Sequence, residues 1–182
     1  MAIIGLLVAI TIPAMGEARR IARKTTCGTN LHSIGQAVHA YLTTNHPTRY
    51  PWVAPMPSVN TDLPAIYEVL RVEVRDQREV FRCPADRNLL SRTIPNARET
   101  YFESEGTSYE WNQILNGKTP GQDVLSSTSH GHGLRSWEVP VMYDYEAYHG
   151  GPNRMGSLMT LYADFHVAPD KWQDRQPGSG TP

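Results

Sequence analysis

Imidazole and carboxylate side chains gather in the C-terminal third of the sequence, at His130, His132, Asp144, His149, Asp164 and His166. Brought together in space, these residue types bind zinc or another transition metal, and such a set would make the chain a metal-dependent hydrolase. On a strand, Asp164 and His166 would point to one face while Ala163 and Phe165 point to the other. The simpler reading of that pair is a turn or cross-strand hydrogen bond that fixes a C-terminal hairpin. His130 and His132 lie in SSTSHGHG, whose Ser and Gly read first as a mobile loop. Asp123 and Asp144 offer oxygens of the kind calcium takes, but no D-x-D-x-D-G loop accompanies them. His149, followed by Gly150 and Gly151, reads as a glycine-permitted bend with the imidazole bonded to backbone. The sequence holds no G-x-x-x-x-G-K-[ST], G-x-S-x-G, H-E-x-x-H or C-x-x-C. The expectation is therefore a protein that does not catalyse and carries no cofactor, although calcium could bind and zinc lost in His149→Ala would point to the hydrolase.

The elements that must position these groups belong to a chain of 182 residues, room for one domain of ordinary size. Seventeen Lys and Arg against 18 Asp and Glu leave a net charge of -1, which is no nucleic-acid profile, because phosphate neutralisation drives most duplex affinity. Fourteen Pro and 14 Gly beside nine Tyr and four Trp describe a loop-rich fold pinned by aromatics rather than a helical bundle.

The N-terminus is the most informative segment. No charged residue occurs from Ala2 to Met15, and Ile3, Ile4, Leu6, Leu7, Val8, Ile10 and Ile12 leave no polar face at helical period. A membrane span needs about 20 such residues, so this shorter run reads as a signal-peptide core, a buried helix or a span whose beginning is missing. Behind it come Glu17, Arg19, Arg20, Arg23 and Lys24, then Ile21, Leu31, Ile34, Val38, Tyr41 and Leu42 at helical spacing. The helix thus changes from apolar all round to amphipathic, as it would on leaving a bilayer to lay one stripe on a globular domain. Pro13 is expected to bend it rather than end it, while Gly28 and Gly35 each weaken it by about 1 kcal/mol relative to Ala. His32 and His39, on this helix, are expected to face solvent or a partner.

Between His46 and Pro64, Pro47, Pro51, Pro55, Pro57 and Pro64 rule out helix, so Tyr50 and Trp52 are expected to cover a core edge from an ordered loop. Leu63 to Val74 is expected to form a short helix capped by Asp62, burying Ile66, Val69 and Leu70. Thr107 to Leu115, Val139 to Tyr145 and Ser157 to Val167 are the best strand candidates and would make an antiparallel sheet.

Taken in order, the apolar segment with IPAM (Ile12 to Met15), EARRIARKTTC (Glu17 to Cys27), NLHSIGQAVHAYLTTN (Asn30 to Asn45), FRCPAD (Phe81 to Asp86), TSYEWN (Thr107 to Asn112) and HGGPNRMGSLMTLYADFHV (His149 to Val167) resemble bacterial prepilin-type proteins. The likeness is to type IV pilin-like and type II secretion pseudopilin-like chains with an N-terminal cleavage and methylation segment and a C-terminal motif of His, nine residues, then Asp-Gly. Here 14 residues separate His149 from Asp164, Phe165 stands where that family has Gly, and the sequence begins inside the apolar segment. The expectation is that the family's leader is missing through a misassigned start, trimming or gene decay.

The resemblance implies an α+β, pilin-like fold: a membrane-anchor and amphipathic helix over 1–46, a head domain over 47–169 with a small antiparallel sheet, and a mobile tail over 170–182. It further implies a structural protein of the inner membrane, single-pass, with a periplasmic or cell-surface head. Ile3, Ile4, Leu6, Leu7, Val8, Ile10, Ile12 and Pro13 would then contact lipid before assembly and other pilin-like subunits afterwards. For an exported domain Cys27 and Cys83 are expected to form a disulfide, whereas in a cytosolic chain they would be two buried free thiols. Basic residues flanking a span favour the cytoplasmic side, so the cluster at Arg19 to Lys24 runs against this orientation unless charges ahead of the segment compete with it. The alternative is a soluble secreted binding domain with a signal cleaved after about Ala18.

Overall fold

A computed structural model describes residues 2–45, 48–88, 98–121, 135–150 and 156–169, with helix backbone alone over 2–14. Helix α1 (Ala2–Thr44) runs 43 residues without interruption, through Pro13 and through both glycines. The apolar positions from Ile3 to Pro13 lie in this helical backbone. Its buried stripe is Cys27, Leu31, Ile34, Val38 and Leu42, separated by steps of three and four that keep one face of a 3.6-residue helix inward. Ile21, expected on that stripe, is 54% exposed, because burial of the stripe begins only at Cys27. Residues 15–23 are exposed throughout. Among the described residues no helix is long and apolar enough to cross a membrane.

Four strands, β1 (Tyr109–Trp111), β2 (Pro140–Asp144), β3 (Met159–Tyr162) and β4 (Val167–Pro169), pair antiparallel in sequence order. The register sets Tyr109 opposite Asp144, Tyr143 opposite Thr160 and Thr160 opposite Ala168. The long helix packed on this sheet is the α+β, pilin-like arrangement expected. All four residues of β3 are buried, since Met159 and Leu161 meet α1 while Thr160 and Tyr162 point the other way.

That approach depends on glycine. A Cβ added at Gly35 would lie 2.8 Å from Leu161 Cδ1, closer than nonbonded carbons sit. Gly35→Val should therefore destabilise the protein by about 1–3 kcal/mol through overpacking, more than the better helix propensity returns. A urea midpoint equal to that of the unsubstituted chain would show instead that Leu161 repacks freely.

The expected helix from Leu63 to Val74 shrinks to α2 (Ile66–Val69). Asp62 does not cap it. Pro64 O accepts the Ala54 N–H, which holds that stretch extended, and the helix starts at Ala65, whose N–H donates to Glu68 Oε2 at 3.3 Å. Beyond α2, turns end at Arg75 and Asp76, both in the left-handed region with φ of 52° and 59°. Ile66 and Leu70 are buried as expected, while Val69 is only partly so.

Tyr50 does cover the core, edge-on to Trp111, and burial pushes its hydroxyl up to about 12. Trp52 does not. It is 63% exposed and lies over Gly117, where φ is +69° and a Cβ would come within 2.7 Å of the indole. The strand expected over Thr107 to Leu115 stops at Trp111, because Asn112 Oδ1 accepts the Ile114 N–H and turns the chain into a 3-10 segment (Gln113–Leu115). A third helix, α3 (Tyr101–Glu105), is capped by Thr100, whose Oγ1 accepts the Glu103 N–H, and closes at Gly106. It buries Glu105, whose carboxylate accepts both the N–H and the hydroxyl of Ser58.

Candidate functional site: a buried disulfide junction

The segment expected as one strand over Ser157 to Val167 is two, β3 and β4, joined by a tight turn that contains Asp164 and His166. These two side chains therefore do not stand side by side on a strand. Asp164 Oδ1 accepts from the His166 N–H and lies 2.5 Å from its Nδ1, and the ring stacks on Tyr162. The pair is partly exposed and closes the turn, the simpler of its two sequence readings. Phe165 between them takes φ +66°, a left-handed backbone that glycine adopts without strain, and its ring is held edge-on by His39.

His149 and Asp144 lie elsewhere. Asp144 ends β2 near Met159, whereas Asp164 follows Tyr162, which pairs with Pro140 at the other end of β2. The sheet register thus separates the two His and Asp pairs. Asp144 and His149 are brought together in the interior: His149 Nε2 is 3.5 Å from Asp144 Oδ2 and 3.6 Å from Cys83 Sγ, with both side chains almost wholly enclosed. The Cys27–Cys83 disulfide, across 56 positions of sequence, ties α1 to the loop after the 3-10 turn Arg78–Phe81 at this point.

Backbone and side-chain bonds position each group. Met159 N–H donates to Asp144 Oδ2 at 2.7 Å, and His149 N–H donates to Ser157 O at 3.0 Å, so the connection between β2 and β3 folds the imidazole inward. Cys83 N–H donates to Ser108 Oγ at 2.9 Å; the same hydroxyl donates to Asp86 Oδ2, which with Oδ1 also accepts the N–H groups of Tyr101 and Phe102. Ser108 N–H in turn donates to Phe81 O. From α1, Arg20 donates to His149 O at 3.0 Å and Lys24 to Gly156 O at 2.7 Å. Three segments that are far apart in sequence, FRCPAD, TSYEWN and the start of HGGPNRMG, therefore meet on the helix at one junction.

Enclosure governs the electrostatics. Burial, followed by the positive charges of Lys24 and Arg20, lowers His149 to about 4, so the ring is neutral near pH 7. Burial also pushes Asp144 well above the usual carboxylate range, with the Asp86 charge adding to it and the Met159 N–H and Lys24 opposing it. Among the described residues, Asp144 Oδ1 and His149 Nδ1 have no hydrogen-bond partner. A buried acid left with an unpaired oxygen is costly when ionised, which is consistent with both directions.

As a metal centre the set is limited. Donor atoms of Cys27, Cys83 and His149 lie within 4.8 Å of one another. With the sulfurs bonded to each other, however, neither is a thiolate, and only an imidazole and one carboxylate remain. Nor does the donor set suit calcium, which takes six to eight oxygens. Asp123, His130, His132 and the tail over 170–182 lie outside the described residues. Asp86, Ser108, Arg20 and Lys24 were not singled out from the sequence as site residues; the signal was that the first two sit in FRCPAD and TSYEWN and the last two in EARRIARKTTC.

No protein-family model, curated protein or solved structure matches this chain.

Proposed function

We propose that the chain is an exported, membrane-anchored structural subunit of a pilus-like or pseudopilus-like assembly, related to type IV pili or type II secretion, and that it does not catalyse. The observation that carries this reading is the division of α1. Its stripe over Cys27 to Leu42 is buried on the sheet, yet the same helix continues back through an exposed basic turn into a segment without a charged residue. A helical segment without a charged residue needs an apolar surround, and lipid followed by equivalent helices supplies one. The disulfide supports export, because such bonds persist in oxidising compartments. The His149 and Asp144 side chains are almost wholly enclosed, which supports a structural role for that junction. Phe165 adds to the resemblance, since its left-handed φ is the backbone that the family's Asp-Gly turn would require.

In this reading Ile3, Leu7 and Ile10 hold the chain in the inner membrane before assembly and bind neighbouring subunits afterwards. Leu7→Lys should remove the protein from the membrane fraction of the cell envelope, because a lysine deep in a span costs roughly 3 kcal/mol. Full retention of that variant in membranes would overturn the anchor. The N-terminus and intact mass of the protein from its native envelope provide the second check. A methylated start within an apolar stretch supports prepilin processing, and a start near Ala18 would mean a cleaved signal and a soluble secreted product.

A further inference from the structure

A groove of about 560 Å³ lies where α1 emerges from the head, and its lining is strongly cationic: Arg19, Arg20 and Arg23 from the helix and Arg87 from the loop after the disulfide. The three helical arginines share one face with Gly16, following the three- and four-residue spacing of a helix. Arg20 is committed to Glu17 and to His149 O. Among the described residues, Arg19, Arg23 and Arg87 have no ion-pair partner. Among the described residues, the one carboxylate in the lining, Asp86, is occupied by Tyr101, Phe102 and Ser108. In a chain whose net charge is -1, such a concentration of guanidinium groups is local and attracts anions.

We propose that this groove binds the phosphate of anionic phospholipid headgroups and so seats the head on the membrane surface. The inference rests on the anchored reading above. Depth selects the occupant. At 1.5 Å per residue, Arg19 and Arg23 lie roughly 6 and 12 Å beyond Met15, where the uncharged segment ends, and the headgroup layer is about 5–7 Å thick on each side. Arginine side chains reach back over such distances, and their planar forks match phosphate oxygens in pairs. Binding of this kind also gives the basic cluster a role on the exported side, where the usual charge bias of membrane proteins does not place it.

The test uses the full chain and two vesicle populations, one of phosphatidylcholine alone and one carrying about a third phosphatidylglycerol, with flotation as the readout. The unsubstituted chain should favour the anionic vesicles, and R19Q/R23Q/R87Q should lose that preference by roughly five-fold per arginine removed while floating equally well with phosphatidylcholine. Raising salt should erode the preference in the same way. These residues are not part of the core, so an unchanged thermal midpoint accompanies the expected result. Equal flotation of the unsubstituted chain with both vesicles, or a preference untouched in the triple variant, overturns the groove and leaves the anchor standing. Flotation with anionic vesicles only overturns the anchor and leaves the groove. Release by inorganic phosphate well beyond that by chloride of equal ionic strength would assign the groove to a soluble anion and overturn the lipid.

Discussion

C27A/C83A should unfold about 4 kcal/mol more easily than the disulfide-bonded chain. The bridge spans 56 positions, and closing a loop of that length removes unfolded-state entropy worth about 4 kcal/mol in the chain-entropy model. The native side adds to the loss, because both cysteines are fully enclosed between α1 and the loop carrying Phe81, and trimming them leaves a small void there. For a chain of this size the thermal midpoint should fall by roughly 10–15 °C. Denaturation of both proteins in urea checks the stability, and intact mass, lower by about two hydrogens before reduction, checks the bond. A loss below about 1 kcal/mol would mean that the meeting of Phe81, Ser108 and α1 holds the junction without the covalent tie. Arg20 and Lys24 make such an outcome conceivable, since they bind the third segment to the helix independently of sulfur.

The helix stripe at Leu31, Ile34, Val38 and Leu42 was legible because burial on a helix repeats at a period the sequence displays. The main strands were legible from their aromatic and β-branched residues between Gly, Pro and Asn, although β3 is buried on both faces and shows no alternation. Strand ends were not. Asn112 stops β1 by accepting an N–H two residues on, and Ala163 to Phe165 reverse the chain inside what looked like one strand, both decided by single side-chain or backbone bonds. Asp144 and His149 were visible as candidates, but which acid meets which imidazole depends on the pairing of β2 with β3, a non-local property. Asp86 and Ser108 escaped because carboxylates and hydroxyls that satisfy backbone donors have no characteristic spacing. The disulfide followed only from the resemblance to an exported family, since two lone cysteines carry no pairing information of their own.

Asp144→Asn and His149→Gln should tilt the pH dependence of stability in opposite directions. His149 is a base whose affinity for protons falls on folding, from 6.5 to about 4, because burial disfavours the imidazolium and Lys24 and Arg20 repel it. The unfolded chain then binds more protons across that window. The contribution is fully present above 6.5 and is lost as pH falls toward 4, by roughly 3 kcal/mol at about 1.4 kcal/mol per tenfold change in proton affinity. Asp144 is an acid whose folded affinity for protons rises, so the folded chain holds its proton longer, and stability falls as pH climbs from about 4 toward the raised value. In the unsubstituted chain the two slopes oppose each other between pH 4 and 6.5. Asp144→Asn keeps an oxygen for the Met159 N–H and leaves the imidazole slope alone, so its stability should climb by roughly 3 kcal/mol across that range. His149→Gln leaves the carboxyl slope, and its stability should decline over the same interval. Urea midpoints taken at half-unit steps of pH read both slopes. Parallel profiles for the two variants would show that the interior pair does not titrate on unfolding, and that acid sensitivity arises instead at exposed carboxylates such as Glu17, whose hydrogen bond with Arg20 lowers it.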